Sequence, residues 1–229
     1  MAFVTSDQRG PVRLVTVDRP PANAMDIALL EELSGALEEL TADPPAAVVI
    51  SGRPGCFSAG ADLKVVPGYG PEEQRRMVRG INRMASLTYG LHCPVLAAVT
   101  GHAIAGGMVL ALCADYRVAA TEGRYGLTEV KVGVPYPQAA IAVVRAELAP
   151  PAARMLALTG RLTDAEECLR LGLFDEVVAP GRVVDRTLEV AAELSALPAD
   201  TYARTKEGLR GATIAAMVAA AETDPLFSR

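Results

Sequence analysis

The stretch GHAIAGGMVLALCAD, residues 101 to 115, constrains this chain more than any other, because a glycine pair opens an apolar helical run directly after a strand-like segment. Gly106 and Gly107 have no Cβ, so a ligand or another backbone can approach them closely. The first N–H groups of a helix have no partner inside it and lie at the positive end of its dipole. Donors of this kind suit an oxygen that gains negative charge during a reaction. Taken alone, Ala105-Gly106-Gly107 reads first as close packing of a buried helix, and only a second feature aimed at the same atom changes that reading.

Composition sets the outer limits. The chain has 229 residues, 51% of them hydrophobic, enough for a full core. A formal charge of −5 with no polybasic block argues against a nucleic-acid partner. No segment reaches the roughly 18 unbroken apolar residues of a membrane span. The start, MAFVTSDQRGPVR, also lacks the charged-then-apolar order of a signal peptide. A cytoplasmic protein with no membrane partner is expected. Cys56, Cys93, Cys113 and Cys168 form no CxxC pair and have only His92 and His102 for company, so neither a metal site nor a disulfide framework is expected. They read as reduced, mostly buried thiols.

In chain order, the alternation in Arg13 to Asp18 predicts a strand, broken by Pro20 and Pro21. Asp26 reads as the N-cap of an amphipathic helix running to about Leu40. Ala46 to Ser51 and Pro94 to Val99 read as buried strands. Between them, a loop with two glycines precedes a helix from Pro71 to Gly90. Further on, Tyr116 to Ala119 and Tyr125 to Val130 read as extended. Helices are expected from Pro137 to Leu148, then up to Gly160, and then from a capping box at Thr163 and Glu166 to near Gly172. Leu173 to Val178 reads as a last strand, and the pattern from Gly181 is helical apart from Pro198. This is an α/β chain, with an alternating core over 1–180 and a helical region over 181–229.

The second feature is CFSAGADLK, residues 56 to 64, where Ala59, Gly60 and Ala61 follow a buried strand. Two such small-residue turns can supply one N–H each to a single carbonyl oxygen, the geometry of an oxyanion hole.

On these residues the chain resembles the crotonase (enoyl-CoA hydratase/isomerase) superfamily over essentially its whole length. The resemblance is carried by Ser58 to Lys64, by Gly101 to Arg117, by Tyr125-Gly126-Leu127-Thr128-Glu129 with Gly133, and by Arg19 to Ala24. It implies a spiral of ββα units with a C-terminal helical region used to form trimers or dimers of trimers. It also implies an acyl-CoA substrate whose thioester oxygen is held by the backbone N–H groups of Ala61 and Gly106. Ala24, Ala59, Asp62, Leu63 and Lys64 are then expected along the CoA moiety. No cofactor is expected beyond the CoA thioester that serves as substrate.

The family's hydratases use two glutamates. Here Glu129 matches one, but the other position is Val109, one helical turn beyond Gly106. Losing one of two cooperating acid/base groups costs about 10²- to 10⁴-fold in rate, so hydration is disfavoured. A 1,3-proton shift needs a single base, and the chain looks most like the Δ3,Δ2-enoyl-CoA isomerases, with Glu129 as sole proton shuttle and Val109 opposite. The dienoyl-CoA isomerases carry a further aspartate, and Val134 to Pro137 holds no acid. Two alternatives stay open: hydration or another crotonase reaction in a biosynthetic pathway, and a non-catalytic acyl-CoA binding protein. Tyr136 is placed at the acyl pocket beside Val109. Asp115, His92 and Cys56 read as structural, and His102 as a packed or locally hydrogen-bonded side chain. Lys206 reads equally as a contact near the CoA nucleotide or as part of a solvated helical face.

Overall fold

The computed structural model describes residues 2–221 and 223–228. Its centre is a six-stranded sheet built from β1 (Val4–Arg9), β2 (Val12–Val17), β3 (Ala47–Ser51), β5 (Val95–Val99), β7 (Tyr116–Ala120) and β9 (Glu176–Val178), adjacent in that order. Only the β1–β2 hairpin is antiparallel. A second, parallel sheet of three strands contains β4 (Gly55–Ser58), β6 (Gly101–Ile104) and β8 (Tyr125–Gly126). The chain therefore alternates between the sheets: β3 then β4, β5 then β6, β7 then β8. Helix α2 (Pro71–Gly90) follows the first pair and the seven-residue α3 (Gly106–Leu112) follows the second.

The apolar runs of β3 and β5 are unbroken because both sheet faces are buried. Val48, Ile50, Val95, Ala97 and Val99 join the main core, which also takes in α1 (Ile27–Ala42), while Ala47, Val49, Leu96 and Ala98 pack on the other side under α7 (Val183–Ser195). Asp26 caps α1 as expected, its side chain accepting from Leu29 N at 2.9 Å. Helices α4 (Gln138–Glu147) and α5 (Pro150–Thr159) fall where the prolines predict, and Gly160 ends α5 in the left-handed region. The long α8 (Ala199–Ala221) returns to pack on α2 and α4.

Several local expectations are corrected. The segment 125–130 is not extended throughout: β8 is two residues long, and Glu129–Lys131 forms a 3₁₀ turn. Asp164, not Thr163, caps α6 (Ala165–Arg170), accepting from Glu167 N at 2.8 Å, because Thr163 is engaged in backbone pairing with Tyr125. The last strand is confined to Glu176–Val178. The hairpin strand β1 has no counterpart in the sequence reading; its residues from Thr5 on are exposed at the sheet edge and carry no apolar alternation. Among the described residues, no helix is long and apolar enough to cross a membrane, and no group of three His, Cys, Asp or Glu side chains could hold a metal ion. All four cysteines are free and buried. Burial pushes Cys93 up to about 11 and Cys113 up to about 12, so neither thiol ionises readily.

Candidate active site

The two small-residue turns meet. Gly60 adopts φ +78°, and a Cβ there would stand 2.8 Å from both Ile104 O and Ala105 Cβ. A Cβ on Gly106 would touch Met25 Sδ at 3.3 Å and Gly60 Cα at 3.8 Å. The glycine pair divides its work: Gly107 is packed against Ser58, whose backbone oxygen a Cβ would collide with, while Gly106 lines the cavity. Close packing and ligand approach thus belong to different members of the pair. Because α3 spans only seven residues, the local N–H of Gly106 matters more than a summed helix dipole. Ala105, at φ +52°, turns the chain sharply from β6 into α3.

Ala61 is aimed by its pairing with Met25. Met25 N donates to Gly60 O at 2.7 Å, and Asp62 N donates to Met25 O at 2.8 Å. In a parallel bridge of this kind the N–H of the intervening residue points away from the partner strand. Ala61 and Gly106 both line one cavity. Its other walls include Met25, Ala59, Leu63, Ile81, Val109, Val132, Val134, Pro135, Pro137 and Ala140, with Thr128 and Glu129 the polar lining side chains.

Glu129 reaches this apolar space from the 3₁₀ turn and is only 7% exposed. Burial pushes its carboxyl above the ordinary carboxylate range, while the nearby Tyr136 hydroxyl and its own backbone N–H pull it partly back. The Tyr136 contact falls short of hydrogen-bond geometry: both Glu129 Oε2 and the Tyr136 hydroxyl are buried without a partner. Val109 is fully buried and lines the same cavity. Tyr136 itself does not line the cavity; its neighbours Pro135 and Pro137 do, and its hydroxyl turns to Glu129 instead.

The remaining expected contacts separate into two groups. Ala59 and Leu63 line the cavity, Leu63 at its exposed mouth, and Lys64 is exposed beyond it. Asp62 is engaged internally, since Oδ2 pairs with Arg19 at 2.9 Å and Oδ1 accepts from Lys64 N at 3.1 Å. Ala24 does not line the cavity; its carbonyl accepts from Arg19 at 2.9 Å. His102 is exposed on β6 and accepts through Nδ1 from Arg124 N, outside the cavity. Lys206 fits neither of its two expected roles: it is buried and pairs with Asp115 at 2.7 Å, while Arg210 pairs with the same carboxylate at 2.8 Å. Asp115 also accepts from Val95 N, so its structural reading agrees with its contacts.

Three supporting groups were not singled out from sequence. Arg19 bridges Asp26 and Asp62, clamping the α1 entry to the turn that carries Ala61. Asn23, fully buried at φ +48°, accepts from Arg19 N and donates to the carbonyls of Val17 and Phe57. Both lie in the Arg19 to Ala24 motif, so the motif was visible although their roles were not. The third is Asp224, whose Oδ2 accepts from Gln138 N at 2.8 Å and from Asn82 at 3.0 Å, while Asn82 Oδ1 accepts from Ala139 N at 3.0 Å. The chain's last turn thereby fixes the start of α4 behind Pro137 and Ala140.

Two small-residue turns and a buried carboxylate thus meet around one apolar cleft. The family model described as enoyl-CoA hydratase/isomerase matches residues 7–225, and the chain belongs to this family, the crotonase superfamily, as an enzyme. A probable enoyl-CoA hydratase, EchA17 of Mycobacterium tuberculosis, is 33% identical over 209 residues, covering 90% of this chain and 80% of that protein. The M. tuberculosis structure described as probable enoyl-CoA hydratase EchA3 superposes with a TM-score of 0.91 at 30% identity, covering 96% of this chain and 94% of that one. A second structure of that same protein, described as an enoyl-CoA isomerase, gives a TM-score of 0.89 at 30% identity, with 96% of each chain covered. One fold and one protein thus carry both reaction names, and the names leave the reaction open.

Proposed function

We propose that this protein moves the double bond of a 3-enoyl-CoA to the 2-position, with Glu129 as its single proton shuttle. The observation that carries the reading is that Glu129 is the one ionisable side chain among the lining residues of a cavity that the apolar Val109 also lines. The thioester oxygen accepts from Ala61 N–H and Gly106 N–H, which lowers the cost of charge at that atom. Glu129 takes a proton from C2, the C2 electron pair delocalises into a dienolate, and the protonated Glu129 returns the proton to C4. The double bond then lies between C2 and C3, and no atom is gained or lost. An apolar lining suits a hydrocarbon acyl chain, and the raised proton affinity of Glu129 suits a base that must also hold the proton between steps. Ala59, Leu63 and Lys64 are assigned to the CoA side because they run from the cavity to the surface. Assembly as a homotrimer or a dimer of trimers belongs to the same reading.

A second reading, hydration, is favoured by the description of EchA17 as a probable hydratase. Incubation with a 3-enoyl-CoA and, separately, a 2-enoyl-CoA separates the two. The isomerase reading expects 2-enoyl product and no 3-hydroxyacyl-CoA, with turnover lost in Glu129→Gln. Abundant 3-hydroxyacyl-CoA would establish hydration, and binding without product from either ester would leave a non-catalytic acyl-CoA binder.

A further inference from the structure

Two polar atoms beside the cavity are unaccounted for: Glu129 Oε2 and the Tyr136 hydroxyl are both buried and both unpartnered. Orphaned buried polar groups are uncommon and call for an explanation. Here each atom has what the other lacks. An ionised carboxylate only accepts, and a phenol supplies one O–H donor. The carboxyl torsion of a glutamate is soft, so a rotation closes the contact without moving the backbone.

We propose that Tyr136 is a positioning residue for Glu129, donating its O–H to Oε2 of the ionised carboxylate and leaving the other oxygen for the substrate proton. The inference rests on Glu129 being the base, as argued above. The placement of Tyr136 supports it. Pro135 and Pro137 flank it and restrict its backbone, and its ring packs against the main core. The following residues are held by Asn82 and Asp224 at the start of α4. The phenol is therefore carried on a braced segment. Its own ionisation is pushed further up by burial and then by the adjacent carboxylate, so it stays a donor throughout.

Among the described residues, no other titratable group competes for this role. Lys131 on the same turn and Arg154 on α5, the helix packed against it, are exposed, as is Lys64 near the mouth, and none perturbs Glu129. Donation to the charged form opposes the effect of burial and keeps the base ionised at lower pH. Once Glu129 has taken the C2 proton its charge is gone and the Tyr136 bond weakens. The proton is then free to pass to C4.

The test is Tyr136→Phe in the full chain, which keeps the ring and removes an atom that bonds to nothing else. Carbon-13 NMR follows the Glu129 carboxyl with pH, assigned by its loss in Glu129→Gln, and kcat/KM for a 3-enoyl-CoA is measured across the same range. The carboxyl midpoint should rise by about one pH unit. The acid limb of kcat/KM should move with it, giving about a tenfold loss at acidic pH and convergence with the unaltered protein at high pH. An unmoved carboxyl titration overturns the inference, and so does a loss of equal size at every pH. If the unaltered protein does not isomerise, the proposed reaction fails, and the NMR midpoint still decides for or against Tyr136.

Discussion

Glu129→Gln should stabilise the protein at neutral and alkaline pH while removing its chemistry. Glu129 is 7% exposed, with Oε2 unpartnered, and burial raises its affinity for a proton above the unfolded value. The folded state therefore holds the proton more tightly than the unfolded chain does. Stability from this group is fully present below the unfolded pKa and is lost as pH rises through the higher folded pKa, because a charge must then be kept in an apolar cavity. Glutamine has no charge to desolvate and escapes that loss. An unsatisfied buried polar atom costs about 1 to 3 kcal/mol. The amide retains part of that cost, so the low end, ~1 kcal/mol, is the appropriate gain. For a chain of this length that moves the melting temperature by roughly 2 to 4 °C.

Scanning calorimetry of both proteins at one concentration checks this, because the melting of any protein that assembles depends on concentration. At pH 8 the variant should melt roughly 2 to 4 °C above the unaltered protein. Near pH 4, where the carboxyl is largely protonated in both folded and unfolded states, the gap should mostly close. A variant that melts lower at pH 8, or a gap of the same size at both pH values, would refute the claim that Glu129 is held against its own desolvation.

Two further substitutions separate binding geometry from fold stability. Gly60→Ala places a Cβ 2.8 Å from Ile104 O at φ +78° and displaces the turn carrying Ala61. It should lower kcat by about 10²-fold or more. It should also destabilise by about 1 to 3 kcal/mol, read from turnover and denaturant midpoint together. Asp115→Ala removes the carboxylate shared by Lys206 and Arg210 and should cost about 3 to 5 kcal/mol in urea unfolding. The kcat of the folded fraction should be unchanged, because no member of that cluster lines the cavity.

What was legible in the sequence follows from how locally each feature is determined. The runs in β3 and β5 announce strands because both of their faces are buried, and Asp26 announces α1 because its cap bond lies three residues away. The two small-residue turns were visible because glycine spacing reports close backbone approach directly. Strand β1 was invisible because its edge position leaves most of it polar and exposed. Lys206 read equally as a contact near the CoA nucleotide and as part of a solvated face, and its ion pair was hidden because its partner, Asp115, lies 91 residues away. Arg19 and Asp62 are 43 residues apart, and the use of Asp62 as an internal brace follows only from their meeting.

The site's two halves have different standing in the fold, and this bears on how its reaction is set. The proposed N–H donors come from turns that packing requires in any case: Gly107 must clear Ser58, Gly60 must clear Ile104, and Met25 pairs with the turn that carries Ala61. On the proposed reading, thioester binding is thereby tied to stability, and loss of either turn damages both. Glu129 stands apart, since its burial raises its affinity for a proton and only the nearby Tyr136 hydroxyl and its own backbone N–H oppose that. Val109 is an ordinary core residue at the end of the same space. On that reading the scaffold holds the carbonyl by necessity, while the number and proton affinity of the acid groups around it rest on a few side chains. The proposed proton chemistry can therefore change at Val109, Glu129 and Tyr136 while the proposed binding of the thioester stays fixed.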